Sequence, residues 1–215
     1  MKGFAFDLDG VLADTAKYHY IAWKQLAEEI TISIDETFNE QLKGISRQES
    51  LERIVTHGGK RNVFSVDELS KMAEKKNQHY VELLEELTPQ DTLPGVKAFL
   101  EEAQKYNIPC TVASASQNAP FILDKLALID YFVGIVDPKT LIKGKPDPEI
   151  FVKAAQLMNL EPKEVIGFED AQAGIDGIKA CGMYAIGVGN TEQLSGTDQL
   201  VDDLRELTIQ ELIHI

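Results

Sequence analysis

Phe4-Ala5-Phe6-Asp7-Leu8-Asp9-Gly10-Val11-Leu12-Ala13-Asp14-Thr15 opens the chain and sets its architecture. The apolar run 4–6 has the composition of a buried strand. Along a strand, side chains two residues apart point the same way. Asp7 and Asp9 are therefore expected to converge at the strand's carboxyl end, where an open α/β sheet places its ligand crevice. Gly10 lets the backbone turn sharply. Two carboxylates held together repel, so the pair calls for a cation, a shared proton or a divided role. The plainer alternative is a strand followed by an Asp-Gly turn.

The chain has 215 residues, enough for one large domain or a core domain with a smaller inserted one. Its formal net charge of -14 argues against nucleic-acid and anionic-membrane partners. A phosphorylated substrate would need a locally basic pocket in this acidic body. Cys110 and Cys181 belong to no metal-ligand spacing and no disulfide framework, and read as reduced packing residues. Met1-Lys2-Gly3 enters the first strand directly, and no apolar run has membrane-spanning length. A cytoplasmic monomer is expected.

From Ala16 to about Leu87 the pattern is helical. His19, Trp23, Leu26 and Ile30 fall on one face. Ser33 or Asp35 can cap a short helix carrying Phe38 and Leu42. Ser46-Arg47-Gln48-Glu49 has the form of a capping box ahead of Leu51, Ile54 and Val55. A long helix is predicted over 66–87, with Val66, Leu69, Ala73, Lys76, Tyr80, Leu83 and Leu87 as its stripe. From Pro94, strands at 108–113, 132–136, 164–168 and 184–188 alternate with helices at 96–106, 120–126, 148–158 and 171–181. That alternation implies right-handed crossovers and a parallel sheet covered on both faces. The expected fold is thus α/β, a Rossmann-like parallel core with an inserted helical bundle. The core takes residues 1–15 and 88–215, and the bundle, as a cap, residues 16–87.

Polar residues collect at the strand ends. Ser114-Ala115-Ser116-Gln117-Asn118 follows the strand at 108–113. Hydroxyls at such a junction can hold phosphate beside helix amides, or Ser116 and Asn118 can simply cap the next helix. Lys145, in Gly144-Lys145-Pro146-Asp147-Pro148, suits a fixed positive charge or a solvated loop. Glu169-Asp170 ends another strand; beside Asp7 and Asp9 these acids make an oxygen cage suited to Mg²⁺, although Asp170 can also serve as a helix cap. In the helical segment, Lys76 interrupts an apolar stripe, so it either snorkels to solvent or is aimed at an anion. Arg47 and Ser50, on the first turn of a helix next to Lys43-Gly44, form an anion site or a solvated first turn.

These four clusters, in this order, resemble the haloacid dehalogenase superfamily of phosphotransferases: Asp7-Leu8-Asp9-Gly10-Val11, Ser114, Lys145 in its Gly-Lys-Pro-Asp-Pro loop, and Glu169-Asp170. The resemblance covers the whole chain, and the helical insertion is similar to that superfamily's small cap. It extends to the β-phosphoglucomutase family through Asp14-Thr15-Ala16, Tyr18-His19, Ala22-Trp23, Leu42-Lys43-Gly44-Ile45-Ser46-Arg47, Lys76-Asn77 and Ala113-Ser114-Ala115-Ser116 with Asn118. Gly187-Val188-Gly189 completes the match. The Gly58-Gly59-Lys60-Arg61 loop and the Ala180-Cys181 pair depart slightly from the family pattern, away from these clusters.

The resemblance implies an isomerase, a phosphoprotein of carbohydrate metabolism that interconverts β-glucose 1-phosphate and glucose 6-phosphate through β-glucose 1,6-bisphosphate. Asp7 would be the nucleophile that becomes an aspartyl phosphate, and Asp9 the general acid and base. Ser114 and Lys145 would hold the transferring phosphoryl. Mg²⁺ would be bound by Asp7, the backbone carbonyl of Asp9, Glu169 and Asp170. Arg47, with Lys43, Gly44 and Ser50, would take the distal phosphate. Lys76, Trp23, Ala115, Ser116 and Asn118 would line the sugar site, with Trp23 equally suited to the core. His19 would help place Asp9. The alternatives are a magnesium-dependent sugar-phosphate phosphatase of the same superfamily, and a non-catalytic sugar-phosphate sensor, which would have no need of Asp7.

Overall fold

The computed structural model describes residues 1–189 and 194–215. Its elements alternate after a helical insertion. They run β1 (Gly3–Phe6), α1 (Ala16–Glu29), α2 (Glu36–Glu40), α3 (Arg47–His57), α4 (Val66–Leu84), α5 (Val96–Lys105) and β2 (Cys110–Val112). There follow α6 (Ala119–Lys125), β3 (Gly134–Ile135), α7 (Glu149–Leu157), β4 (Val165–Glu169), α8 (Gln172–Ala180), β5 (Tyr184–Val188), β6 (Gln199–Val201) and α9 (Ile209–Ile213). The strands form one parallel sheet in the order β3-β2-β1-β4-β5-β6. β1 lies at its centre, and the chain fills one side of β1 before crossing to the other. Such a reversal opens a crevice at the carboxyl ends of the strands.

Alternation along β1 and β4 sends their side chains to two cores. Phe4, Phe6 and Phe168 face the layer built with Phe99, Leu100, Ile122 and Ile209. Phe6 stacks on Phe168 at 4.5 Å and 10°, and Phe99 meets Phe168 at 5.6 Å. Ala5 faces the opposite layer of Ile150, Phe151, Ala154, Ile175 and Ile178. In register, Ala5 sits beside Gly167 and Phe6 beside Phe168. One further step brings Asp7 beside Glu169 on the face that carries Ala5.

The inserted helices have an apolar cluster of their own, including Trp23, Leu26, Phe38, Leu51, Ile54, Val55 and Ala73. Ala22, Tyr80, Leu84 and Leu87 belong instead to the larger core. Several local details differ from expectation or decide between alternatives. Val66 is 80% exposed, because it is the first residue of α4; Leu69 is half-buried and the buried stripe begins at Ala73, two turns on. Leu84, not Leu83, is the fully buried residue of the last turn, and the helix ends there. Ser46 accepts the Glu49 amide at 3.2 Å, but the Glu49 carboxylate turns to Arg53 at 2.7 Å instead of returning to the cap. Asp35, not Ser33, caps α2. β4 lies one residue later at each end than the expected 164–168, so Glu169 is its last residue and Asp170 follows it. No helix among the described residues is long and apolar enough to cross a membrane.

The Phe168 side chain is the junction of the aromatic layer beneath the crevice. Phe168→Ala should lower unfolding free energy by about 3–5 kcal/mol in urea titrations; a loss under about 1 kcal/mol would mean that the layer does not hold the sheet centre.

Candidate active site

The Asp7 amide bonds the Phe168 carbonyl at 2.9 Å, continuing the β1–β4 ladder one residue beyond the strand. Its carboxylate is buried. The chain then leaves the sheet: the Leu8 carbonyl accepts the amides of Val11, Leu12 and Ala13, and Gly10 takes φ +86°. A side chain on Gly10 would meet Asp170 Oδ2 at 2.3 Å, so the position requires glycine for both conformation and space. Asp7 and Asp9 do face a common cavity, but this turn brings them together, since the strand ends at Phe6.

Lys145 is 2% exposed and reaches up from the loop before α7. Its ammonium donates to Asp7 Oδ1 at 2.5 Å and to Glu169 Oε2 at 2.8 Å. Burial pushes this lysine down, but the two carboxylates outweigh it and hold it above its ordinary range. The other Glu169 oxygen accepts the Ala171 amide at 3.2 Å. Asp7, Glu169 and Asp170 each bring a carboxylate oxygen within 4.8 Å of the other two. Burial, then the Asp7 charge, pushes Glu169 up to about 7. Asp170 is raised well above the usual carboxylate range, by burial and then by Glu169. Three acids against one bridging lysine leave negative charge that a hard, oxygen-seeking divalent cation fits. The Asp9 carboxylate is not part of this cluster; it accepts from the Thr15 hydroxyl and lies 3.8 Å from His19 Nε2. Burial, and then Asp7, pushes Asp9 up to about 6.

Ser114, at the end of β2, is buried, and its hydroxyl accepts the Ser116 amide at 3.1 Å. Ser116 in turn accepts the Asn118 amide at 3.2 Å, and the Asn118 side chain donates to Asn77 of α4 at 2.9 Å. Lys76 does not snorkel. It is 3% exposed, 2.7 Å from His19 Nδ1, and 4.5 and 4.6 Å from the Trp23 and Tyr80 ring centres. Burial, then Arg47, pushes it down to about 7. Burial likewise holds His19 well below its usual value. Trp23 belongs to the helical apolar cluster and also lines the cavity.

The cavity is about 320 Å³ and lies between the strand ends and the helices. Asp7, Asp9, Ser114, Ala115, Ser116 and Asn118 line it from the strand ends, and Lys43, Gly44, Arg47, Ser50 and Lys76 from the inserted segment. Lys145, Glu169 and Asp170 lie beneath its floor and are not among its lining residues. Lys43 is already paired, with Glu40 at 2.8 Å and Asp170 at 3.8 Å. The Ser50 hydroxyl bonds the Ser46 carbonyl at 3.0 Å. Gly44, at φ +71°, is pressed against Ala171, which a Cβ would meet at 3.2 Å. Three cations at one wall supply the basic pocket that an acidic chain needs for a phosphorylated ligand.

The family model for haloacid dehalogenase-like hydrolases matches residues 1–182. A β-phosphoglucomutase of Bacillus subtilis is 48% identical over 214 residues, covering all of this chain and 94% of its own length. The chain belongs to the β-phosphoglucomutases of the haloacid dehalogenase-like family. The crystal structure of a β-phosphoglucomutase from Clostridium difficile superposes on the whole chain and 96% of its own with a TM-score of 0.96, at 45% identity. A phosphorylated-carbohydrate phosphatase of Thermotoga maritima is more distant, 29% identical over 86% of this chain and 84% of its own length. In a family of this chemistry, a metal cofactor and a sugar-phosphate substrate agree with the acidic cluster and the basic cavity wall.

Thr15, Asn77 and Glu74 are part of this geometry and were not singled out as site residues from sequence. Asn77 stood beside Lys76 in the family pattern, which was the available signal. Thr15 stood in the same pattern, in Asp14-Thr15-Ala16, whereas Glu74 carried no signal, because a helix crossing brings Arg47 to it.

Lys76 gives the site a pH signature. Its folded value of about 7 lies below the ordinary 10.5, so the unfolded chain binds more protons between those limits. The destabilisation from burying this lysine is complete below the folded value and vanishes above the unfolded one. Stability should therefore rise across that window, and Lys76→Met should lose the rise. Urea unfolding at about pH 7 and about pH 9 reads this directly, and a wild-type-to-variant difference that stays constant would contradict it.

Proposed function

We propose that the protein is a β-phosphoglucomutase that interconverts β-glucose 1-phosphate and glucose 6-phosphate. The observation that carries the reading is a single cavity lined by Asp7 and Asp9 of the strand ends and by Arg47 of the inserted helices, in a chain 48% identical throughout to a β-phosphoglucomutase. Residues 16–87 act as the cap, and residues 1–15 and 88–215 as the catalytic core. A cytoplasmic, monomeric enzyme belongs to the same proposal.

Asp7 is the nucleophile. Its carboxylate oxygen forms a bond to phosphorus as the bond from phosphorus to the sugar oxygen breaks, and Asp9 gives its proton to that departing oxygen. In the return direction a sugar hydroxyl attacks the aspartyl phosphate, and Asp9 takes the hydroxyl proton. A value of about 6 lets Asp9 serve in both roles near neutrality. The priming cycle passes through β-glucose 1,6-bisphosphate, which turns over in the cavity so that either phosphate can meet Asp7. Lys145 and Ser114 hold the transferring phosphoryl group and spread its charge. Asp7, Glu169, Asp170 and the Asp9 carbonyl would hold Mg²⁺, which when bound supplies charge neutralisation between the phosphate and the attacking carboxylate.

Arg47 receives the distal phosphate, with Lys43, Gly44 and Ser50 around it. Trp23, His19, Lys76, Ala115, Ser116 and Asn118 enclose the sugar. A phosphatase needs only the Asp7 end. A mutase must also retain and reorient a doubly phosphorylated sugar, and binding energy at Arg47 serves that purpose. Arg47→Ala should therefore reduce mutase kcat/KM by on the order of 100-fold, while hydrolysis of acetyl phosphate falls far less. Equal losses in the two assays would remove Arg47 from the distal site. Stoichiometric release of inorganic phosphate from glucose 6-phosphate and bisphosphate, with no isomer formed, would favour the phosphatase reading.

A further inference from the structure

The cations in and next to the cavity are committed to different degrees. Lys145 donates two short bonds, and Lys43 pairs with Glu40 at 2.8 Å. Arg47 has one anionic partner among the described residues, Glu74, with NH1 3.5 Å from Oε2. That distance is well beyond the 2.7–2.9 Å or so of a charge-assisted hydrogen bond. Glu74 lies on α4, two residues before Lys76, and lines the same cavity. Its side chain is 61% exposed against 24% for Arg47, so the carboxylate stands at the rim while the guanidinium is turned inward.

We propose that Glu74 is a specificity-determining residue of the distal anion site: a resident carboxylate that holds Arg47 over the cavity and must be displaced by the incoming phosphate. This rests on the reading of Arg47 as the distal-phosphate ligand. The pair Arg47–Glu74 carries no net charge, so a singly charged ligand has little to gain from replacing one carboxylate with another. A phosphate monoester brings nearly two charges and three acceptor oxygens, enough for the two parallel bonds a guanidinium offers. Glu74 thereby sets a threshold that a dianion passes and a monoanion does not. It also repels the bound phosphate, which eases its departure between the two halves of the cycle.

The test is Glu74→Gln, which keeps the side chain's size on an exposed helix position. Initial rates with β-glucose 1-phosphate at saturating bisphosphate should give a KM about two- to five-fold lower than wild type, with kcat unchanged or reduced. Inorganic phosphate should inhibit the variant more strongly by a similar factor. In an Arg47→Ala background the same substitution should leave KM unchanged, because the carboxylate then has no guanidinium to occupy. A KM that stays the same or rises in Glu74→Gln overturns the proposal. An equal fall in both backgrounds also overturns it, since Glu74 would then act only through the general acidity of the surface. If Arg47→Ala alone leaves KM at the wild-type value, the distal-site reading itself fails and this proposal with it.

Discussion

The ammonium of Lys145, buried between Asp7 and Glu169, is the interaction on which the rest of the site depends. Neighbouring parallel strands place the two carboxylates side by side at the centre of the sheet, and Asp170 follows directly. Without a cation there, acids that crowded would repel and draw protons. With one lysine between them the cluster still carries excess negative charge, which suits it to a divalent cation. Breaking such a buried pair by deleting one partner typically costs about 3–5 kcal/mol, because the remaining charge stays buried. The loop before α7 delivers Lys145 from the same face of the sheet that carries Ala5 and Asp7, so the proposed nucleophile and its counter-charge are fixed by the same layer of packing.

The second half of the site comes from the helices. A line of contacts runs from the core into them: Thr15 to Asp9, Asp9 to His19, His19 to Lys76, and Lys76 over Trp23. Asn118 to Asn77 ties the other side of the cavity. Asp9, the acid/base residue of the proposed mechanism, is thus in direct contact with groups that belong to the insertion and its entry. Arg47, the proposed distal-phosphate ligand, lies in the same set of helices, so in that proposal the recognition of one phosphate and the alignment of the chemistry for the other draw on the same inserted segment.

Much of this was legible from sequence for a simple reason. A parallel sheet covered on both faces collects charged residues at its strand ends, so Asp7, Ser114 and Glu169-Asp170 stand out against largely apolar runs. Lys145 stood out by its rigid loop, and Lys76 because an inward lysine breaks a stripe. What sequence spacing misjudged were features decided by other elements. Val66 satisfied the helical spacing, yet lies at a helix start with nothing packed on it. Glu49 satisfied the capping box, yet Arg53 one turn later offered a stronger partner. Asp7 and Asp9 do meet, but through the turn held by the Leu8 carbonyl rather than through strand alternation. Glu74 gains meaning only from the residues that fold against it.

In the proposed mechanism the phosphoryl group on Asp7 passes to a sugar held by the helices and not to water. A phosphorus-31 NMR time course with β-glucose 1-phosphate, Mg²⁺ and a trace of the bisphosphate follows substrate, product and free phosphate together. The glucose 1-phosphate signal should decay into that of glucose 6-phosphate, with inorganic phosphate staying near its starting level. Growth of inorganic phosphate in step with the loss of substrate, and no glucose 6-phosphate, would contradict it.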